Sequence, residues 1–419
     1  MEIRRVFVVG AGYMGAGIAQ VCAQSGYEVL LHDISEERLS RALREMEWSL
    51  GKLVEKGKVD AETAERALKQ VGTTTSLEDA SGADLVVEAV PEDLSLKRNI
   101  FSRLDSICRP DAILATNTSA LPITSIASAT ARPERVVGTH FFGPVPLMGL
   151  CEVVRGVRTA EEVFREAGEW ARSLGKNTVM VTRDHAGFVA NRVNIPGTLE
   201  AIRMVEDSFA SPEDVDRASG GFERGVGPLQ IVDNAGLEVT MNASLSIYHD
   251  TRDPVFLPPP LLRRLVQAGL WGRKAGRGFY DYSSGERRGW LPAPGRKDGD
   301  AWEEVWGGGW EELVRLRLFL PTVCEGVRVV EWGVASPGEV DTATRLGFNL
   351  PFGPLETADQ LGLDQVLEKA DRLHRLTLNP AFLAPPLLRR MVAAGLTGAE
   401  AGRGFYDYRG GERREWWKR

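Results

Sequence analysis

The stretch Val6-Phe-Val-Val-Gly10-Ala-Gly12-Tyr13-Met14-Gly15 constrains this chain most. A short apolar strand breaks into G-x-G-x-x-G and opens a small-residue helix through Gly17, Ala19 and Ala23. Such glycines let the backbone turn tightly and approach a pyrophosphate, which then sits on the helix amides and the positive end of its dipole. A second strand, Tyr27 to His32, ends in Asp33, whose carboxylate is placed to accept hydrogen bonds from an adenosine ribose. Strand, loop, helix, strand and acid together predict a dinucleotide-binding βαβ unit. Its cofactor contacts are Gly10, Gly12, Tyr13, Met14, Gly15 and Asp33. An acid at position 33 disfavours a 2′-phosphate and so favours NAD over NADP.

The chain after Asp33 predicts a long amphipathic helix from Glu36 to Lys56, with Leu39, Leu43, Met46, Leu50 and Leu53 on one face. Gly57 and Asp60 end it, and Ala61 to Gln70 reads as a second helix, making a hairpin inserted into the sheet. Ser49, Lys52, Lys56 and Lys58 lie near the tip, where a solvated face is the plain reading. Strands then follow at Val71–Thr75, Asp84–Val90, Ala112–Ser119, Arg135–Phe142, Leu150–Arg155 and Asn177–Thr182, for a sheet of about eight. Glu92 and the run Asn117-Thr118-Ser119 follow strands at their carboxyl ends, where open α/β sheets bind ligands. A Gly/Pro-rich bend separates His140 from Glu152, so one strand's end meets the next one's start. A carboxylate on one imidazole nitrogen fixes the tautomer and leaves the other nitrogen to take a proton. The competing reading is a satisfied strand-end histidine beside an unrelated charge.

With 419 residues, 43% of them hydrophobic, the chain can bury more than one core. The balance of 51 basic to 58 acidic residues argues against nucleic acid as a general partner. Cys22, Cys108, Cys151 and Cys324 form no CxxC pair, which points to free thiols in a reducing compartment and to no metal. No leader-like or membrane-spanning run stands out, so a cytoplasmic location is expected.

The ordered motifs Gly-Ala-Gly-x-Met-Gly, Val-Glu-Ala-Val, Asn-Thr-Ser-x-Leu, His140-Phe-Phe through Glu152-Val-Val, Gly187-Phe-Val-Ala-Asn191-Arg and Gly276-Arg-Gly-Phe-Tyr-Asp-Tyr282 resemble those of the L-3-hydroxyacyl-CoA dehydrogenases, including 3-hydroxybutyryl-CoA enzymes. The resemblance implies oxidation of a 3-hydroxyacyl-CoA to a 3-oxoacyl-CoA with NAD. His140 would be the base, Glu152 its orienter, and Ser119 and Asn191 contacts to substrate oxygens. It further implies cofactor contacts from Glu92, Lys97, Asn117 and Lys274, and coenzyme A contacts from Ser49 and Lys56. Three positions depart from the family pattern: Gly143 replaces an Asn that would touch the nicotinamide, Gly149 replaces a Lys, and Ala186 replaces a Pro.

Beyond Arg192 the periodicity turns helical and the chain repeats itself. Ala210-Ser-Pro returns as Ala335-Ser-Pro, Pro259-Pro-Leu-Leu-Arg-Arg as Pro385-Pro-Leu-Leu-Arg-Arg, and Ala275-Gly-Arg-Gly-Phe-Tyr-Asp-Tyr as Ala401 to Tyr408. The expected architecture is a Rossmann-type α/β domain with a helical hairpin insertion over 1–184, all-α domains over 185–282 and 312–419, and a linker over 283–311. Trp290, Trp302, Trp306 and Trp310 are expected as surface anchors of that linker. Single-copy relatives pair their helical domains, so the second copy is a covalent stand-in for a partner, in a chain that is monomeric or a homodimer. Lys274 becomes Glu400 in the second copy, which therefore reads as structural. Two rival functions stay open: a β-hydroxyacid dehydrogenase acting on a free acid, and a non-catalytic NAD-binding protein. The former class places a catalytic lysine on its helical domain, and this chain has no Lys between 177 and 273.

Overall fold

The computed structural model describes residues 2–219, 226–291, 306, 308–348, 350 and 352–417. The chain divides into two compact units, up to Phe188 and from Val189 onward.

In the first unit, eight strands form one sheet in the order β3-β2-β1-β4-β5-β6-β7-β8. They are β1 (Arg5–Val9), β2 (Glu28–His32), β3 (Val71–Thr74), β4 (Leu85–Glu88), β5 (Ile113–Thr116), β6 (Val136–Phe141), β7 (Leu150–Val154) and β8 (Asn177–Val181). All neighbouring pairs are parallel except β6 and β7, which run antiparallel. Strands β4 to β7 are buried at every residue, as expected of a sheet covered on both faces. The covering helices are α1 (Tyr13–Gln24), α2 (Glu36–Glu55), α3 (Ala61–Lys69), α4 (Leu94–Ile107), α5 (Ile123–Ala127) and α6 (Glu161–Ser173). Helix α2 buries Leu39, Ala42, Met46, Leu50 and Leu53, and the Ser35 side chain caps its start by accepting from the Arg38 amide. Asp60 caps α3 in the same way through Thr63, so the inserted hairpin forms as the pattern predicted.

The second unit opens with α7 (Ala190–Glu206), α8 (Pro212–Ala218), α9 (Pro228–Ala235), α10 (Leu237–Thr251) and α11 (Pro260–Gln267). Strands β9 (Tyr280–Asp281) and β10 (Arg288–Gly289) then pair as a small hairpin. After them come α12 (Trp310–Glu331), α13 (Pro337–Phe348), α14 (Pro354–Leu361), α15 (Leu363–Thr377), α16 (Pro386–Ala393) and a second hairpin of β11 (Tyr406–Asp407) and β12 (Arg414–Glu415).

The repeated motifs make the same bonds twice. Asp216 accepts from the Leu229 and Gln230 amides at the start of α9 and from the Tyr280 hydroxyl. Asp341 does this for Leu355, Glu356 and Tyr406. Asp233 fastens the first hairpin through the amides of Phe279 and Tyr280 and the Tyr282 hydroxyl. Asp359 holds Phe405, Tyr406 and Tyr408 alike. The two halves also cross-link. Arg192 of α7 ion-pairs with Glu325 of α12 at 2.6 Å, and Arg317 of α12 with Glu200 of α7 at 2.7 Å. All four are buried.

Two expectations differ from the structure. β10 lies inside the presumed linker, because Trp290 donates to the Gly278 carbonyl at 2.9 Å and ties this segment to β9. Trp306 is not a surface anchor: it is 5% exposed, with the Arg372 guanidinium 4.8 Å over its ring. Trp310 begins α12 and stacks on Phe209. Trp302 falls outside the described residues. Among the described residues no helix is long and apolar enough to cross a membrane. Cys22, Cys108, Cys151 and Cys324 are buried free thiols, and burial pushes Cys108 up to about 11 and Cys324 up to about 12.

Candidate functional site

The fingerprint loop is built on two different demands. Gly10 has φ +101°, and a Cβ there would lie 2.8 Å from the Ala89 carbonyl oxygen. This glycine is required by close packing. Gly15 is likewise closed in by the Gly10 carbonyl. Gly12, in contrast, would meet no atom within 4 Å. That open side adjoins the start of α1, which no side chain caps, and it fits a pyrophosphate seated on backbone amides. Tyr13 and Met14 follow on the same turn, Tyr13 with 63% of its surface exposed.

Asp33 has another duty besides the expected ribose contact. Its Oδ2 accepts from the Ala11 amide at 3.0 Å and its Oδ1 from the Ser35 amide at 3.2 Å. It therefore braces the glycine loop, and each oxygen retains one lone pair for a ribose hydroxyl.

At the carboxyl ends of β4 and β5, charges are joined in a chain. Glu88 accepts from Lys97 at 2.7 Å and from the Thr116 hydroxyl at 2.7 Å. Lys97 also lies 3.4 Å from Glu92. Glu92 Oε1 accepts from the Thr118 hydroxyl, the Ser119 amide and the Ser119 hydroxyl, at 2.6, 2.9 and 3.2 Å. Burial works against the charge on Glu92, but Lys97 and these donors outweigh it and hold its pKa below the usual carboxylate range. Lys97 is 1% exposed, with its ammonium spent on Glu88, Glu92 and the Val90 carbonyl. Lys97 positions Glu92, and Glu92 in turn positions Ser119.

His140 and Glu152 are register partners in the antiparallel pair β6–β7. Residues directly opposite share a face, and the Nδ1···Oε2 distance is 2.8 Å. Both are buried, His140 at 6% and Glu152 at 0% exposure. The imidazole sits against Phe142 at 4.3 Å and Phe188 at 5.8 Å between ring centroids. With Nδ1 on the carboxylate, Nε2 is the ring nitrogen left for a ligand's proton. Asn117 is bound to this pair and not simply displayed: its Oδ1 accepts from the Phe141 amide at 2.9 Å, clamping β5 to the end of β6.

Several supports went unread in the sequence. Lys176 is buried and donates to the Val145 and Met148 carbonyls at 2.6 and 2.8 Å, holding the bend between His140 and Glu152. Gly17 lets α1 approach that bend, since a Cβ there would come 2.9 Å from Val145. Asp184 accepts from the Ile123 and Thr124 amides. The apolar context of Glu88 and the Gly in a small-residue helix were the only available signals.

The departures have distinct settings. A Cβ on Gly143 would lie 2.6 Å from Tyr13 Cε1 and 3.3 Å from Met14 Sδ, so Tyr13 fills the space that a side chain at 143 would enter. Gly149 would meet only Asn177, at 3.6 Å. Ala186 is buried.

The remaining candidates are dispersed. Ser49 and Lys56 lie on one face at the end of α2, half-buried and exposed respectively. In the second unit, Asn191 is half-buried in the first turn of α7. Lys274 stands in the turn before β9, ion-paired with Glu238 and 5.8 Å over the Trp271 ring.

The family model for the 3-hydroxyacyl-CoA dehydrogenase NAD-binding domain matches residues 5–185, and that for the C-terminal domain matches residues 187–282 and 314–408. A probable 3-hydroxybutyryl-CoA dehydrogenase of Deinococcus radiodurans is 45% identical over 276 residues, spanning 66% of this chain and 99% of its own length. The 3-hydroxyadipyl-CoA dehydrogenase of Escherichia coli is 34% identical, over 89% of this chain and 94% of its own. A crystal structure of a 3-hydroxybutyryl-CoA dehydrogenase from Escherichia coli superposes with a TM-score of 0.85 at 32% identity, covering 94% of this chain and 99% of that one. A mostly parallel sheet with an open glycine turn, followed by helices that the same family's models match, makes this chain a member of the 3-hydroxyacyl-CoA dehydrogenase family of NAD-dependent oxidoreductases.

Proposed function

We propose that the chain oxidises L-3-hydroxyacyl-CoA thioesters to 3-oxoacyl-CoA, with His140 as general base. The observation that carries this is the buried 2.8 Å contact between His140 and Glu152. NAD, when bound, supplies the acceptor for the hydride leaving carbon 3. His140 Nε2 takes the hydroxyl proton as that hydride departs, and the resulting imidazolium is stabilised by Glu152 across Nδ1. Glu152 also fixes the starting tautomer, with the proton on Nδ1. Ser119, held on Glu92, and Asn191 are the polar contacts to the substrate oxygens. Asn117 keeps the β6 backbone in place beneath His140. Ser49 and Lys56 hold coenzyme A, whose phosphates need a local cation that an acidic chain still provides. Asp33 serves the ribose and Lys274 the cofactor side.

The second unit is, in this reading, two tandem all-α domains, the later one taking a dimer partner's place. The crossed pairs Arg192–Glu325 and Arg317–Glu200 support it, because reciprocal contacts of equivalent residues are what a two-fold interface produces.

The test is absorbance at 340 nm with 3-hydroxybutyryl-CoA and free 3-hydroxybutyrate. The thioester should be turned over and the free acid should not; the reverse preference would establish the free-acid enzyme. His140→Gln should cut kcat by about 10²–10⁴-fold while NAD still binds. Parent-like turnover by that variant ends the assignment of the base.

A further inference from the structure

Within the second unit lies a cavity of about 380 Å³, in the range of small-molecule sites. Its walls are mainly apolar: Leu316, Phe319 and Leu320 from α12, Leu350 and Phe352 from between α13 and α14, and Val366 from α15. Phe319 and Phe352 meet edge to face at 6.2 Å. Helix α7 closes it with Asn194, Gly197 and Thr198. Gly197 allows this closeness, since a Cβ there would lie 2.7 Å from the Leu318 carbonyl oxygen and from Thr322 Oγ1.

Asn191, Asn194 and Thr198 are spaced i, i+3, i+7 and so share one face of α7. The face that begins at the substrate contact Asn191 therefore continues into the cavity. The repeat adds a second observation. With Arg192 matched to Arg317 and Glu200 to Glu325, Asn191 corresponds to Leu316 and Asn194 to Phe319. Polar positions in the first copy have become apolar wall in the second. Lys369, Glu312 and the exposed Arg315 also line the cavity, and Lys369 and Glu312 are paired with each other at 2.9 Å.

We propose that this cavity holds the substrate's acyl tail beyond its reacting carbons, an unbranched apolar chain of medium length, and so sets chain-length preference. This rests on the dehydrogenase reading above. Apolar walls reward methylenes, by up to roughly fourfold in affinity for each one fully buried. They penalise a tail ending in a carboxylate: Lys369 already has its partner, and Arg315 stands in water, where an ion pair gains too little to offset burying a carboxylate among apolar walls.

The experiment compares kcat/KM for 3-hydroxybutyryl-, 3-hydroxyhexanoyl-, 3-hydroxydecanoyl- and 3-hydroxyadipyl-CoA, together with inhibition by decanoyl-CoA and butyryl-CoA. The ten-carbon substrate should exceed the four-carbon one at least tenfold, and decanoyl-CoA should inhibit at least tenfold more tightly than butyryl-CoA. Thr357→Trp, which fills the cavity, should abolish both advantages while four-carbon turnover stays within twofold. Leu361→Trp, at a wall position 47% exposed, provides the same test on a site tolerant of bulk. Equal use of four and ten carbons by the parent, equal loss of both in the variants, or a preference for the adipyl over the hexanoyl thioester would overturn the proposal. Absence of turnover with every thioester would instead fault the dehydrogenase reading, and direct binding of decanoyl-CoA, read by tryptophan quenching in parent and Thr357→Trp, would still test the cavity.

Discussion

Tyr13 and Gly143 form the most informative pair of single residues. The ring of Tyr13 occupies the volume that a side chain at 143 would need, with its Cε1 2.6 Å from the would-be Cβ. Gly143→Asn alone should therefore displace Tyr13 and weaken NAD binding, although it restores the residue usual in the family. Gly143→Asn with Tyr13→Ala should recover much of that loss, giving a coupling of about 0.5–3 kcal/mol between the two sites. Cofactor titration of the four proteins measures it; strict additivity would show that the ring and position 143 act independently. The glycine departure was visible in the sequence, but the tyrosine that answers it was not, because only packing brings the two together. Lys97 shows the same blindness. Its position matched a family pattern, while its burial between Glu88 and Glu92 shows only in the fold.

At the scale of elements, the strands of the large sheet were legible to within two residues, except that β5 ends at Thr116 and not at the expected Ser119, since apolar runs bounded by Gly, Pro and Asp leave little choice of register. The meeting of His140 with Glu152 was readable from the short bend between them, while the antiparallel register that produces it was not. The crossing of α7 and α12 was not legible, because a repeat reveals equivalence and not contact. Its buried ion pairs lead to a prediction. Arg317→Ala leaves Glu200 with Arg203 at 3.6 Å and the Asn379 amide, and should cost about 3–5 kcal/mol in denaturant unfolding. Arg317→Met with Glu200→Leu should lose much less, because no buried charge is then stranded. The repeated aspartates predict a pH response. Burial pushes Asp216, Asp341 and Asp359 up to about 6 from an ordinary value near 3.8, against the donors that each accepts. Folding thus takes up protons between these values. The stability tied to these groups is present below about pH 4 and lost as pH rises through 6. Asp359→Asn should flatten the fall between pH 4 and 7 by on the order of 1–3 kcal/mol, as read from guanidinium midpoints; an unchanged slope would show that Asp359 stays ionised throughout.

For the whole molecule, the sequence announced a nucleotide-binding sheet followed by a helical region, and the described residues contain both. The boundary between units falls at 188, four residues beyond the expected one, because Phe188 packs against His140 in the first unit. The linker proved partly structured, since its Trp290 and Trp306 bury surface that composition alone assigned to solvent.

The reciprocal salt links between α7 and α12 join parts of one polypeptide. Dilution therefore cannot pull that seam apart, and specific activity should hold down to nanomolar protein where a two-chain assembly would fade. Tethering also frees each side to mutate alone: a change written once in the gene is felt once in the molecule. Asn191 on one side and Leu316 at its twin position are then free to diverge.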